Sequence, residues 1–80
     1  MAGGIFLSEF CKRLREIRLE KGLKQREMAD RLAITLRAYQ YYEEGKHIPD
    51  LYGLLALADI LEVSLDYLTG RSERQEREGL

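Results

Sequence analysis

The stretch QREMADRLAITLRAYQYYEE, from Gln25 to Glu44, decides the reading of this chain. Met28, Ala29 and Leu32 recur at helical spacing, so residues from about Gln25 to Leu32 form a short amphipathic helix with one apolar face. The pattern breaks at Ala33-Ile34. Thr35 follows, and its hydroxyl can cap another short helix that runs to about Glu44 and stops at Gly45. Ile34, Tyr39 and Tyr42 point inward, which leaves Leu36, Arg37, Gln40 and Tyr41 on the solvent face. Tyr41 and Tyr42 are neighbours and cannot share a helix face, so Tyr42 goes to the core and Tyr41 outward.

Working outward, the same punctuation predicts three more helices. Ser8 caps the first, with Glu9 at its positive end; it buries Phe10, Leu14 and Ile17, with Cys11 beside them, and stops at Lys21-Gly22. Lys46 to Pro49 is a loop. Asp50 caps the fourth helix, whose Leu51, Leu54, Leu55, Ala58 and Leu61 form the inward stripe. Ser64 caps a short fifth helix, Leu65 to Thr69, closed by Gly70. The expected organisation is a 1–7 arm, an 8–70 domain and a charged 71–80 tail. A frayed tail is favoured there over a helix in which Glu73 pairs with Arg77 and Arg74 with Glu78. With Leu and Ala abundant and no strand-length alternation, the fold class is all-α: a compact five-helix bundle.

Composition narrows the function. Eighty residues make one small domain, too small for a large catalytic scaffold. The longest apolar run, Leu54 to Ala58, is far short of the roughly 20 residues that span a bilayer, so no membrane association is expected. The first residues lack the basic and long apolar stretches of a secretion signal, and Ala2 stands where myristoylation needs glycine. A single cysteine, Cys11, allows no internal disulfide, which points to a reducing, cytoplasmic setting. Cys11 and the only histidine, His47, are too few for a zinc site, and the glycines sit at helix ends rather than in a phosphate-cradling loop. Neither enzyme, cofactor, metal nor small-molecule ligand is expected.

What the residues do support is a binding surface. Two short helices joined by a turn of three to four residues make a helix-turn-helix, whose second member can lie in a DNA major groove. A helix exposing Arg, Gln and Tyr over two turns carries groups able to hydrogen-bond base edges.

Here the chain resembles the Xre family, the phage-repressor and Cro-like helix-turn-helix regulators. The resemblance covers roughly Phe10 to Arg71. It rests on Leu14 to Leu23 (LREIRLEKGL), Gln25 to Ala29 (QREMA), Tyr42-Glu43, Gly45-Lys46, Pro49, and Val63 to Arg71 (VSLDYLTGR). It implies a bundle of the phage-repressor type in which helices two and three form the helix-turn-helix. It implies that Gln25 contacts a phosphate and braces the recognition helix, and that Thr35 opens that helix and can hold a phosphate. Leu36, Arg37 and Tyr41 match base-facing positions, with Gln40 beside them. Arg37 suits guanine O6 and N7, Leu36 a thymine methyl, and Tyr41 a base or phosphate. Lys46 is similar to positions that contact the DNA backbone, and Arg18 with Glu43 matches a structural salt bridge. Tyr52 and Tyr67 read as packing or interface residues.

Three positions depart from the family pattern. Ala33 stands where the turn usually has glycine, so a left-handed backbone there costs about 1 kcal/mol. Lys24 replaces a Ser or Thr cap and offers a phosphate a positive charge instead. Glu44 puts a carboxylate near the expected DNA backbone.

The chain carries 13 Lys and Arg against 14 Asp and Glu, a formal net charge of -1. That balance is uneven. Residues 1–48 hold a net +3 and residues 49–80 a net -4, so the basic excess lies with the helix-turn-helix. The expected function is a sequence-specific, double-stranded DNA-binding regulator, a repressor acting as a homodimer on a palindromic operator with strongly salt-sensitive affinity. The alternative is a protein-interaction module on the same fold, an antitoxin or a repressor partner, with secondary DNA binding.

Overall fold

A computed structural model describes residues 2–76, and every regular element among them is an α-helix. In chain order these are α1 (Ala2–Glu20), α2 (Gln25–Leu32), α3 (Leu36–Glu44), α4 (Leu51–Leu61) and α5 (Leu65–Leu68). Three helix starts follow from capping chemistry. The side chain of Thr35 accepts from Ala38 N at 3.0 Å, that of Asp50 from Gly53 N at 2.8 Å, and that of Ser64 from Tyr67 N at 3.0 Å. At Lys24 no side chain caps the helix; the Glu27 carboxylate instead reaches back to accept from Lys24 N at 2.7 Å.

The turn between α2 and α3 closes on Ala33, whose backbone is left-handed at φ 59°. The steric cost is met by hydrogen bonds: Ala33 N donates to Asp30 O at 3.1 Å and Ile34 N to Ala29 O at 3.0 Å. Helix α2 packs chiefly on α3, α1 packs against α3 and α5, and α4 against α2 and α5. The buried centre draws Phe10, Leu14 and Ile17 from α1, Met28 and Ala29 from α2, Tyr39 from α3, and Leu57, Ala58 and Leu61 from α4; Val63 and Leu68 close it. Cys11, Leu32, Ile34, Tyr42 and Leu54 are half-buried against this centre. No helix among the described residues is long and apolar enough to cross a membrane.

The structure differs from the sequence expectations in three places. Helix α1 is helical from Ala2, so Ser8 is an interior residue and not a cap; no proline upstream of Ser8 stops the helix from propagating. On α4 the buried stripe is Leu57, Ala58 and Leu61, with Leu54 half-buried beside it, while Leu51 and Leu55 are 60 % and 43 % exposed. Leucines stand on several sides of this helix, so spacing alone admits two registers. Residues 71–76, expected to fray, are non-helical and return to the bundle. Ser64 N donates to Gln75 O at 2.7 Å and Ser64 Oγ to Arg74 O at 3.0 Å. Arg77 and Glu78, the partners considered for Glu73 and Arg74, lie outside the described residues.

Candidate nucleic-acid interface

The exposed side of α3 is held from below by one buried carboxylate. The Glu43 side chain is 4 % exposed and accepts from four donors. Arg18 gives two of them, Nε at 2.5 Å and Nη2 at 3.2 Å; Tyr39 gives its hydroxyl at 2.5 Å and Gln25 its Nε2 at 3.1 Å. The remaining arm of Arg18 donates to Leu23 O at 2.9 Å, tying α1 to the chain just before α2. Burial acts to raise the pKa of Glu43. The hydrogen bonds from Arg18, Tyr39 and Gln25 outweigh that effect and hold the carboxyl below its ordinary range. Arg18 moves the opposite way: its bond to Glu43 raises its pKa against burial, so the pair stays charged. For Tyr39, burial and then the bond to Glu43 push the phenol far up.

Gln25 carries this order outward. Its Oε1 accepts from Gln40 Nε2 at 3.2 Å, and Gln40 Oε1 accepts from Arg37 Nη1 at 3.4 Å. A continuous polar chain thus links buried Arg18 on α1 to exposed Arg37 on α3. Gln25 keeps a second amide N–H beyond the one given to Glu43, a donor able to reach a phosphate.

Arg37 also lies over the Tyr41 ring, with its guanidinium carbon 4.8 Å from the ring centroid. Lys46 approaches the same ring, its ammonium 5.7 Å from the centroid, and pairs with Glu44 at 3.4 Å. The carboxylate that departs from the family pattern therefore has a cation beside it. Leu36 and Tyr41 are half-buried, and Thr35 is exposed with its hydroxyl engaged as the cap. Thr35, Leu36, Arg37, Gln40 and Tyr41 fall on α3 and its cap, with Lys46 just past its end and Gln25 joined to them through Gln40.

Sequence reasoning placed these residues on one side but missed the links among them. The Gln25–Gln40 bond spans two helices and leaves no local trace. The stacking of Arg37 on Tyr41 was legible in principle, because i and i+4 residues adjoin on a helix. Among the described residues no group of three or more His, Cys, Asp or Glu side chains is placed to hold a metal ion.

The helix-turn-helix family model matches residues 14–68. The chain is 48% identical over 59 residues to YqaE, an uncharacterized HTH-type transcriptional regulator of Bacillus subtilis (strain 168); the match covers 74% of this chain and 51% of that protein. It is 41% identical over 56 residues to RstR, the cryptic phage CTXphi transcriptional repressor of Vibrio cholerae, covering 70% of this chain and 50% of that protein. The crystal structure of a transcriptional regulator from Listeria innocua superimposes with a TM-score of 0.72 at 34% identity, covering 76% of this chain and 57% of that one. The chain spans about half the length of the curated relatives it matches.

Proposed function

Because this chain belongs to the helix-turn-helix family, of the Xre and Cro-like kind, we propose that it is a cytoplasmic, sequence-specific regulator of transcription that binds double-stranded DNA. It acts as a repressor, as a homodimer on a palindromic operator, with residues 8–70 as the DNA-binding domain and neither cofactor nor small-molecule ligand. The observation that carries the reading is the exposed face of α3. Arg37, Gln40 and Tyr41 stand together there on a helix fixed through Gln25 to the buried Arg18–Glu43 pair. Arg37 reads a guanine by two hydrogen bonds, Leu36 meets a thymine methyl, and Thr35, Gln25 and Lys46 hold phosphates. The name of the CTXphi relative, a transcriptional repressor, supports repression over activation.

A second copy follows from size and charge. One near-neutral domain makes few phosphate contacts, and two half-sites multiply its affinity. The surface we assign to that copy is the exposed apolar side chains Ile48, Leu51, Tyr52 and Leu55, which begin two residues after Lys46 in the chain. Tyr52 is 81 % exposed, so Tyr52→Lys leaves the fold intact while removing cooperative occupation of two half-sites. Selection of binding sites from random DNA tests the whole reading. Enriched inverted repeats with half-site centres about 34 Å apart are expected; a pool with no enriched sequence contradicts it. On a selected site, Arg37→Ala weakens specific binding by about 1–3 kcal/mol and relaxes preference at one base pair.

The same exposed apolar side chains favour a second reading, a protein-interaction module in which a different protein covers them and DNA binding is secondary. A stable complex with such a partner, formed by a chain that selects no DNA sequence, would establish that reading.

A further inference from the structure

Three side chains from the two ends of α3 and the loop after it, Arg37, Lys46 and His47, meet one aromatic ring, that of Tyr41. Arg37 lies one turn before Tyr41, with its guanidinium carbon 4.8 Å from the ring centroid. Lys46 reaches the ring from beyond the helix end, its ammonium 5.7 Å from the centroid, and the His47 ring packs edge-on at 4.9 Å and 68°. The loop that brings Lys46 and His47 back is secured separately, through the backbone. Gly45, at φ 80°, donates its N–H to Tyr41 O, and Lys46 N and His47 N donate to the same carbonyl at 2.9 Å and 3.4 Å. Tyr41 thus anchors the loop with its carbonyl and gathers the side chains with its ring. The Tyr41 hydroxyl is not needed for any of these contacts.

We propose that Tyr41 is a positioning residue for DNA recognition, whose ring face holds the Arg37 guanidinium and the Lys46 ammonium at the DNA-facing edge before DNA arrives. This rests on the DNA-binding reading above. The physical reason is twofold. Two free cations on a small surface repel and sample many rotamers, and a flexible Arg or Lys gives up that freedom when it binds. The negative face of an aromatic ring attracts both groups and restricts them beforehand, so less order is lost on binding. Gln40 adds direction to Arg37 through its side-chain oxygen. Tyr41 therefore acts through what it holds, and its contribution is carried by the ring and not by the phenol.

Two variants of the full chain separate these roles. Tyr41→Phe keeps the ring, and Tyr41→Leu removes it while leaving the carbonyl anchor. In fluorescence anisotropy on a selected operator, Tyr41→Phe is expected to bind within about twofold of the wild type. Tyr41→Leu should bind about fivefold to thirtyfold more weakly, the cost of ordering two freed side chains when DNA binds. It should also relax preference at the Arg37 base pair, and flatten the slope of log affinity against log salt by up to about 0.9 as the Lys46 phosphate contact weakens. A readout without DNA accompanies this. Proton NMR of the free chain should show ring-current upfield shifts on the Arg37 and Lys46 side-chain methylenes in wild type and Tyr41→Phe, lost in Tyr41→Leu. Equal weakening by Phe and Leu overturns the proposal in favour of a direct hydroxyl contact, and so does a Leu variant that binds and discriminates like the wild type. Wild-type methylenes without ring-current shifts overturn it even if DNA binding is normal. Ring-current shifts in a chain that selects no DNA would instead overturn the function from which this role follows.

Discussion

Arg13 and Arg18 stand five residues apart on α1, both buried, and they secure different parts of the molecule by different chemistry. Arg18 faces one buried carboxylate, Glu43, which also takes Tyr39 and Gln25, and so its charge is matched where water cannot reach. Arg13 faces mainly backbone and surface. It donates to Tyr67 O at 2.8 Å and Ser72 O at 2.7 Å, lies over the Tyr67 ring at 4.3 Å, and pairs with Glu9 and Glu73, the latter 88 % exposed. Burial lowers the pKa of Arg13, but the bonds to Glu73 and Glu9 outweigh it. The first arrangement fixes a helix that presents side chains to a ligand. The second latches residues 71–76 to α1 and α5. A buried charge matched by a buried charge makes a rigid support; a buried charge satisfied by carbonyls and solvated carboxylates makes a fastening that tolerates the loss of a partner.

That contrast sets an order of effects. The largest belongs to Glu43→Gln, which leaves Arg18 buried without a counter-charge and presents an amide donor to other donors. Urea denaturation should show a loss of about 3–5 kcal/mol, and a loss below 1 kcal/mol would erase the distinction between the two clusters. The same carboxylate gives a pH signature. Its folded pKa lies below its ordinary value near 4.5, so its stabilisation is complete above that value and is lost as pH falls through the depressed one. The Glu43→Gln chain should lack that part of the acid limb of stability against pH.

Arg13→Ala comes next. It strips a donor from two carbonyls, but Tyr67 O still accepts from Gly70 N, and Glu9 and Glu73 can turn to water. About 1–3 kcal/mol is expected, together with faster amide exchange at Ser64, whose N–H is bonded to Gln75 O. Unchanged exchange at Ser64 would show that the segment is held by something other than Arg13. Glu73→Gln should cost less than about 1 kcal/mol in the same denaturation, since its carboxylate is solvated. A cost as large as that of Glu43→Gln would mean that exposure does not govern these pairs.

The two regions also differ in how far the amino-acid sequence revealed them. The helices around the site announced themselves locally: Thr35, Asp50 and Ser64 each need only the next turn to act as caps, and each does. Arg18 and Glu43 were paired through the family resemblance, not through spacing. The carbonyl contacts of Arg13 gave no signal, because they lie 54 and 59 residues away and any residue type can supply a carbonyl. For the same reason the charged segment after Gly70 read as free: apart from the Glu73 pair with Arg13, what tethers it is its backbone. On α4 the difficulty was an excess of leucine, since periodicity identifies a buried face only when the other faces are polar. Within the site, the α3 residues were legible as a set, whereas the Gln25–Gln40 bond depended on how α2 and α3 meet.

The central claim is that this face binds DNA; it belongs to residues 1–48, which carry the basic excess of the chain. Affinity for a selected operator, measured by anisotropy from low to moderate salt, tests that claim most directly. The account predicts a straight, steeply falling line of log affinity against log salt, with a slope near -0.9 for each phosphate neutralised. A flat line, with the chain held instead in a stable complex with another protein, would contradict it.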